Sequence, residues 1–307
     1  MRAATDPGWK RQLKRGVYAA ARLCPLRPRT ALEAAEVCRA LVGYGLPATL
    51  GKLSKAGDDP LQIVEACLQA SDTFKRSAAG DRFYLSVKPP ALKFNPDHVA
   101  QIVARARQNG HGVHFDAHGL FFAEQTLKLL QETMERCPCS ADGAGDWSFG
   151  LTLPSRWKRS VADARWAASK GVRPKVVKGD FPAAPADEVE PDQGYLALID
   201  ILAGEVAEVA VATHDCVLAR EALTRCRRRG SAVQLELFFG LPTGAMLALA
   251  RELEVPVRFY VPFGDTLLIY LVRDLLANPH KLLRRGAYEI VGSQERKLAR
   301  IIGAVSG

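Results

Sequence analysis

From about residue 45 onward, short apolar or β-branched runs alternate with longer stretches of helical period, and this alternation constrains the fold more than any other feature. It is typical of βα units, in which crossover helices join parallel strands. The predicted strands are Leu46–Lys52, Phe83–Lys88, Gly112–Ala117, Ser148–Leu153, Lys175–Lys178, Glu208–Thr213, Val233–Phe239 and Val257–Val261. The predicted helices lie at about 60–72, 95–109, 123–136, 159–169, 191–203, 215–229, 242–253 and 265–277. Eight parallel strands can close into a barrel without sheet edges, so the sequence predicts an α/β fold, the (β/α)8 TIM-type barrel.

A further helical segment precedes the predicted barrel, at roughly 30–43. We therefore predict an N-terminal helical arm at 1–44, the barrel at 45–285 and a C-terminal tail helix at 286–307. The stretch 182–192 is rich in proline, alanine and acidic residues and directly follows the fifth strand. We interpret it as a long βα loop rather than as a linker between domains.

Composition narrows the class of protein. A hydrophobic content of 48% in 307 residues supplies ample core material, and no run of about eighteen uninterrupted apolar residues is present. Seven cysteines without CxxC spacing indicate reduced thiols, so we expect a cytoplasmic protein, with peripheral contact at the inner membrane as an open alternative. The net charge of +9 favours anionic partners, but the basic segments lack a recognisable nucleic-acid-binding pattern. No nucleic-acid partner is expected.

In barrels of this kind the chemistry lies at the carboxyl ends of the strands and in the loops that follow them. Several polar residues occupy these positions in the predicted strands: Lys88, Asp116, His118, Lys178, Thr213, His214, Asp215 and Tyr260. We expect their side chains to converge at one end of the barrel.

Six motifs at these strand ends occur in an order that resembles the flavin-dependent proline dehydrogenases. They span about residues 45 to 285, and the ordered set is more specific than any one motif. The motifs are Tyr84-Leu-Ser86-Val-Lys88-Pro, Phe115-Asp116-Ala, Lys175-Val-Val-Lys178-Gly179-Asp-Phe181, Ala212-Thr213-His214-Asp215, Glu236-Leu-Phe238-Phe-Gly240, and Arg258-Phe-Tyr260-Val-Pro262-Phe-Gly264 followed by Tyr270-Leu-Val-Arg273-Asp274.

The resemblance implies an FAD-dependent oxidoreductase that oxidises L-proline or a related cyclic secondary amine. Hydride transfer from C5 of the ring to the flavin N5 would give Δ1-pyrroline-5-carboxylate, and the electrons would pass to a quinone or another acceptor. The flavin supplies the electron chemistry in such a reaction, so the protein contributes mainly orientation.

The resemblance also implies roles for individual residues. The implied catalytic residues are Lys88, Asp116, Tyr260, Tyr270 and Arg273, the implied substrate-binding residues are Phe238 and Asp274, and the implied cofactor-binding residues are Lys175, Lys178, Gly179, Thr213, His214, Asp215 and Glu236. An amino-acid carboxylate needs fixed cations, which Lys88 and Arg273 would supply. Asp116 would pair with Lys88 or orient a neighbouring hydroxyl, and so hold the lysine charged and in place.

The chain departs from the family pattern at several of these positions. Asp274 stands where the family has a second arginine, which reduces the charge complementarity to a substrate carboxylate. Lys175 replaces a flavin-contacting arginine and loses its planar fork. Pro154-Ser155-Arg156 replaces a Gln-Ala-Tyr segment, and Asp215 replaces an asparagine. These departures fit either a paralogue with an altered substrate or a barrel that has lost catalysis.

Three other interpretations stay open at this point. Lys88 and Asp116 could form a structural ion pair that plugs the barrel mouth. His114-x-Asp116-x-His118 could direct three metal ligands to one side of a strand, as in a metal-dependent hydrolase. A non-enzymatic barrel could instead bind a partner through its basic surface.

Overall fold

The computed structural model describes residues 28, 30–54, 57–74, 83–138, 149–264 and 294–306. Its strands are β1 (Ala48–Lys52), β2 (Phe83–Val87), β3 (Gly112–Phe115), β4 (Phe149–Pro154), β5 (Arg173–Val177), β6 (Glu208–Ala212), β7 (Ala232–Phe238) and β8 (Val257–Phe263). All of them pair in parallel in chain order, and β8 pairs with β1 to close the barrel. The predicted (β/α)8 barrel is confirmed.

Helices alternate with the strands around the outside. They are α1 (Ala31–Gly43), α2 (Pro60–Thr73), α3 (Pro96–Gln108), α4 (Ala123–Arg136), α5 (Ser160–Ser169), α6 (Pro191–Leu202), α7 (Cys216–Arg228), α8 (Gly244–Glu252) and α9 (Gln294–Ser306). Short 3-10 helices occupy Pro89–Leu92, Leu120–Phe122 and Pro185–Asp187, the last within the predicted βα loop. The helix predicted at 265–277 lies outside the described residues, and the division into arm, barrel and tail stays a prediction.

Local sequence signals fix where several helices begin. Proline occupies the first position of α2, α3 and α6, where its fixed φ suits a helix and its missing N–H costs nothing. A side-chain oxygen of the preceding residue accepts a backbone N–H at each of these starts, namely from Asp59, Asn95 and Glu190. These signals fix the residue at which each helix begins after the preceding strand.

The apolar core lies between the sheet and the helices, whereas the barrel interior is polar. Outward-facing strand residues such as Val176, Val211 and Leu235 are fully buried against the helix layer. Their sequence neighbours on the same strands point inward, because successive side chains of a strand alternate between the two faces. The outer layer therefore supplies most of the hydrophobic stabilisation, and the interior is left to polar groups.

Two arginines fill the amino-terminal half of this interior. Arg173 donates to Glu208 at 2.5 Å and to Gln234 at 2.8 Å, and Arg258 donates to the same Gln234 oxygen at 2.6 Å. Both guanidinium groups lie over the ring of Tyr84, at 5.2 and 4.6 Å from its centroid. β5 accordingly begins at Arg173, two residues before the predicted start, because this buried charge is satisfied inside the barrel.

Among the described helices, none combines the length and the apolar character needed to cross a bilayer.

Candidate active site

Asp116 is the centre of a hydrogen-bonded group at the carboxyl end of the barrel. It directly follows β3, and its backbone N–H donates to the Val87 carbonyl at 2.9 Å. Its carboxylate accepts hydrogen bonds from five described side chains, which with Asp116 we call the Asp116 cluster: Ser86, Lys88, Thr152, Lys175 and Tyr260. These side chains belong to β2, β4, β5 and β8 or follow them directly, so the closure of the barrel assembles the cluster.

The two carboxylate oxygens of Asp116 have different partners. Oδ2 accepts from Ser86 at 2.5 Å, from Lys88 at 2.7 Å and from the Tyr260 hydroxyl at 2.9 Å. The Lys88 ammonium also donates to the Tyr260 oxygen, at 3.1 Å. Lys88, Asp116 and Tyr260, which were expected to lie at the same end of the barrel, thus form a closed triangle of hydrogen bonds. Oδ1 accepts from Thr152 and from Lys175, each at 3.0 Å.

The charges of the cluster determine its protonation states. Burial alone would raise the pKa of Asp116, but the ammonium groups of Lys175 and Lys88 outweigh it and hold this pKa well below its usual value. Burial, together with the Asp116 carboxylate, raises the pKa of Tyr260 well above its usual value. At neutral pH Asp116 is therefore ionised. Tyr260 stays protonated, and its hydroxyl donates a hydrogen bond to Asp116.

A glycine on the neighbouring strand makes room for Tyr260. Gly51 of β1 lies beside Tyr260, and a Cβ at this position would overlap the tyrosine hydroxyl and lie 3.1 Å from the Cβ of Ser86. Only a residue without a side chain lets the hydroxyl reach Asp116.

Lys175 links the cluster to the charges deeper in the barrel. Its ammonium donates to Asp116 Oδ1 and, at 3.2 Å, to Glu236 Oε1, whose second oxygen lies 3.9 Å from Arg173. Burial opposes the charge of Lys175, but the two carboxylates outweigh it and raise the pKa of this lysine. Of the predicted cofactor-binding residues, Lys175 and Glu236 are thus buried against each other inside the barrel.

The other predicted cofactor-binding residues form a second group, the rim group, at the ends of β5 and β6: Lys178, Gly179, Thr213, His214 and Asp215. Lys178 is half-exposed and pairs with Asp192 at 2.6 Å and with Asp215 at 3.2 Å. Asp215 is also the N-cap of α7, because its Oδ1 accepts from the first backbone N–H groups of that helix. The ring of His214 accepts the Phe238 N–H at 3.0 Å.

Aromatic residues border the Asp116 cluster. Phe238, predicted to bind substrate, stacks on Tyr260 with the ring centroids 5.6 Å apart. The Lys175 ammonium lies 4.9 Å from the centroid of the Tyr260 ring. The stacked rings of Phe238 and Tyr260 therefore form a flat apolar wall beside the ammonium groups of Lys88 and Lys175.

The metal-site alternative finds no support in the geometry. His114 is hydrogen-bonded to Thr152 at 2.7 Å, and His118 stacks on Phe181 with the centroids 4.6 Å apart. Within the described residues, no group of three or more His, Cys, Asp or Glu side chains is arranged to hold a metal ion.

Three predicted site residues, Tyr270, Arg273 and Asp274, lie outside the described residues. Conversely, Ser86, Thr152 and Gly51 were not among the predicted site residues. Serine and threonine are common within strands for packing reasons, so their presence alone does not indicate a site. Only the closeness of Ser86 to Lys88 in the sequence could have marked Ser86 as a site residue, and nothing comparable marked Thr152.

Two observations test whether a flavin and a carboxylate ligand fit these residues. Among the residues that the structure describes, the charged side chains linked inside the barrel are four cations (Lys88, Arg173, Lys175, Arg258) and three carboxylates (Asp116, Glu208, Glu236), an excess of one positive charge. Lys88 and Lys175 each donate to two described partners, and an ammonium has three N–H groups. The donor set fits an anionic or electron-rich ligand at this end of the barrel.

The chain is similar in structure to proline utilization A. It matches the protein from Bdellovibrio bacteriovorus inactivated by N-propargylglycine with a TM-score of 0.69 and 16% identity, over 94% of this chain and 36% of that one. It matches the protein from Corynebacterium freiburgense with a TM-score of 0.64 and 16% identity, over 96% and 36%. The folds are the same. This chain spans about a third of the length of those proteins, and the predicted resemblance is confirmed at the level of the fold.

No protein-family model matches the sequence, and no curated protein matches it.

The role of Gly51 gives a stability prediction. We expect Gly51→Ala to lower the free energy of unfolding by about 1–3 kcal/mol, because the new methyl group overlaps Tyr260. The same substitution should cost less in a Tyr260→Phe background, since the hydroxyl, which is the closest atom to the added methyl group, is gone and the closest remaining contact is that of 2.7 Å with the ring carbon Cζ. Urea denaturation of the four proteins of this cycle measures the coupling. Gly119→Ala is the matched control, because φ at Gly119 is −65° and no atom lies within 4 Å of the added Cβ. Additive effects of the Gly51 and Tyr260 changes would contradict the proposed overlap.

The depressed pKa of Asp116 gives a pH prediction. A carboxyl whose pKa is lower in the folded than in the unfolded protein stabilises the fold above its unfolded value, here 3.8, and this contribution is lost as the pH falls further. At neutral pH, Asp116→Asn should lower the free energy of unfolding by about 3–5 kcal/mol, because two ammonium groups lose a buried partner. The difference in the free energy of unfolding between this variant and the wild type should become smaller below about pH 4. A difference that stays constant from pH 7 to pH 2 would contradict the prediction, because it would show that the pKa of Asp116 is the same in the folded and the unfolded protein.

Proposed function

We propose that this protein is a flavin-dependent oxidoreductase that oxidises L-proline or a related cyclic secondary amine. The observation that carries the proposal is the triangle of Lys88, Asp116 and Tyr260 at the carboxyl end of a barrel with the proline utilization A fold. In this class of barrel, charged side chains at that end are where chemistry occurs.

Lys88 is the proposed anchor for a substrate carboxylate. Its side chain is only 14% exposed, so a contact with a carboxylate would be little screened by solvent. Asp116 holds the ammonium in place through its 2.7 Å hydrogen bond. The Tyr260 hydroxyl stays neutral and does not repel a substrate anion, and the stacked pair of Phe238 and Tyr260 offers an apolar face for a five-membered ring.

FAD is the proposed cofactor, and when bound it supplies the two-electron acceptor that no side chain of the protein can replace. Lys175 would contact the flavin ring system with its remaining N–H, and the rim group would contact the ribityl chain, the diphosphate or the adenine. The product from proline would be Δ1-pyrroline-5-carboxylate, and the electrons would leave to a quinone or another acceptor. No metal takes part in this proposal.

A spectrum of the purified protein tests the proposal most directly. We expect flavin absorbance that bleaches on anaerobic addition of proline, hydroxyproline or an uncharged pyrrolidine. We also expect N-propargylglycine to cause irreversible loss of this activity, because it inactivated the similar protein from Bdellovibrio bacteriovorus. Lys88→Met should raise the KM for proline at least about tenfold and change the KM for an uncharged pyrrolidine little, since only proline presents a carboxylate.

Lys170→Met is the matched control, because Lys170 is exposed and follows α5 at the opposite end of the barrel. A protein that stays colourless after incubation with FAD would overturn the proposal and favour a barrel that acts by binding. Equal effects of Lys88→Met on both substrates would overturn the assignment of Lys88.

The departure at residue 274 gives a second prediction. In flavin-containing protein, Asp274→Arg should raise kcat/KM for proline relative to the uncharged pyrrolidines, because the substitution restores the second guanidinium of the family pattern. The ratio of the two kcat/KM values is the measurement. An unchanged ratio would show that residue 274 does not contact the substrate.

A further inference from the structure

Behind Asp116, on the side away from Lys88, a chain of two hydrogen bonds leads to a buried histidine. His114 Nε2 lies 2.7 Å from Thr152 Oγ1, and the same oxygen lies 3.0 Å from Asp116 Oδ1. Nothing in the proposed reaction uses His114 or Thr152. Because the metal-site alternative finds no support, the presence of a histidine here needs another explanation.

The chemistry of the three groups fixes the direction of this chain. An ionised carboxylate only accepts hydrogen bonds, so the single hydroxyl hydrogen of Thr152 is donated to Asp116. The hydrogen bond between Thr152 and His114 then needs its hydrogen from the imidazole. His114 must therefore be the Nε2–H tautomer, which donates to Thr152, which in turn donates to Asp116.

The surroundings of His114 hold the ring in this position. Its side chain is almost fully buried, and a Cβ on Gly150 of β4 would overlap its Nδ1 atom. The absent side chain at Gly150 thus creates the space that the ring fills. The imidazole faces Lys175, Arg173 and Lys88 as well as Asp116; burial and the ammonium of Lys175 lower its pKa well below the usual value, and it stays neutral at physiological pH.

We propose that His114 and Thr152 are positioning residues, which orient Asp116 so that its Oδ2 faces Lys88 and Tyr260. The geometric reason is that a carboxylate can turn about its Cβ–Cγ bond unless both oxygens are held. Oδ2 is held by the groups that meet the substrate, whereas Oδ1 is held by Thr152 and Lys175. The expected effect on KM rests on the proposed function, whereas the orientation of Asp116 does not.

A matched pair of variants tests the orientation in the enzyme. Thr152→Val keeps the shape of the side chain and removes the hydroxyl, and Thr152→Ser keeps the hydroxyl. We expect Thr152→Val to raise the KM for the most reactive substrate of the panel about tenfold with unchanged flavin content, and Thr152→Ser to stay within about twofold of the wild type. Equal behaviour of the two variants, at either level, would overturn the proposal, because a role in packing alone does not distinguish them by the hydroxyl.

Two measurements test this relay, the chain of hydrogen bonds from His114 through Thr152 to Asp116, without an activity assay. Long-range 1H–15N spectra of the labelled protein, with His114→Gln to identify the signal, should show the Nε2–H tautomer between pH 6 and pH 8. A crystal structure of Thr152→Val should show Asp116 Oδ2 turned away from the Tyr260 hydroxyl. An Nδ1–H tautomer, a protonated imidazole in this range, or an unmoved Asp116 would each overturn the inference. Absence of flavin would instead overturn the proposed function and leave these two results to decide the relay.

Discussion

The carboxylate of Asp116, buried between two ammonium groups, is the interaction on which the carboxyl end of the barrel depends. An ionised carboxyl group removed from water costs several kcal/mol unless charges and hydrogen bonds replace its solvent. Here Lys88 and Lys175 supply the charges, and hydroxyl groups fill the remaining acceptor positions. Because these donors come from four different strands or their ends, a shift of register in any of them would leave the carboxylate under-solvated. The electrostatics of the site and the closure of the sheet therefore require each other.

A polar interior is compatible with a stable barrel because the hydrophobic core lies elsewhere. The outward faces of the strands pack against the helices, and the buried apolar residues of the described strands and helices form one cluster. Inside, Arg173 and Arg258 occupy the amino-terminal half and the Asp116 cluster occupies the carboxyl-terminal half, and Glu236 links Lys175 of the cluster to Arg173. Removing one partner from such a network is expected to be costly, since Asp116 and Glu236 are each shared by two cations.

The order of the strands and the meeting of Lys88, Asp116 and Tyr260 could be predicted from the sequence, because the outward strand residues are apolar and parallel strands end at one rim. The hydrogen-bonding partners could not. Thr152 carries no motif that reveals its contact with Asp116, and Arg173 looks like a loop residue until Glu208 and Gln234 are placed opposite it. These contacts join residues 35 or more positions apart, so they depend on strand register, which the pattern of apolar residues determines only approximately.

Asp215 has a helix-capping role that was not predicted, since the resemblance assigned this residue to a cofactor contact. An aspartate directly before a stretch of helical period is a common N-cap, and here its Oδ1 accepts from two backbone N–H groups of α7. Its Oδ2 pairs with Lys178. A flavin contact by Asp215 would therefore compete with its capping role and its ion pair, whereas Lys175 and Lys178 each have two described carboxylate partners and a third N–H group.

Two departures from the family pattern introduce an acid: the resemblance aligns Glu236 with a glutamine of the family and Asp274 with an arginine. Lys175 and Glu236 stand where the family has an arginine and a glutamine, so an ion pair replaces a single cation and its neutral neighbour. Asp274 replaces a second arginine. Under the proposed function, these two acids would reduce the positive charge available to a substrate carboxylate and to a reduced, anionic flavin. Lys88 remains, and it is held by Asp116 rather than neutralised by the new acids. Under the proposed function, such a site would bind a single carboxylate less tightly than the family's site, and it would discriminate less strongly against a cyclic amine that carries none.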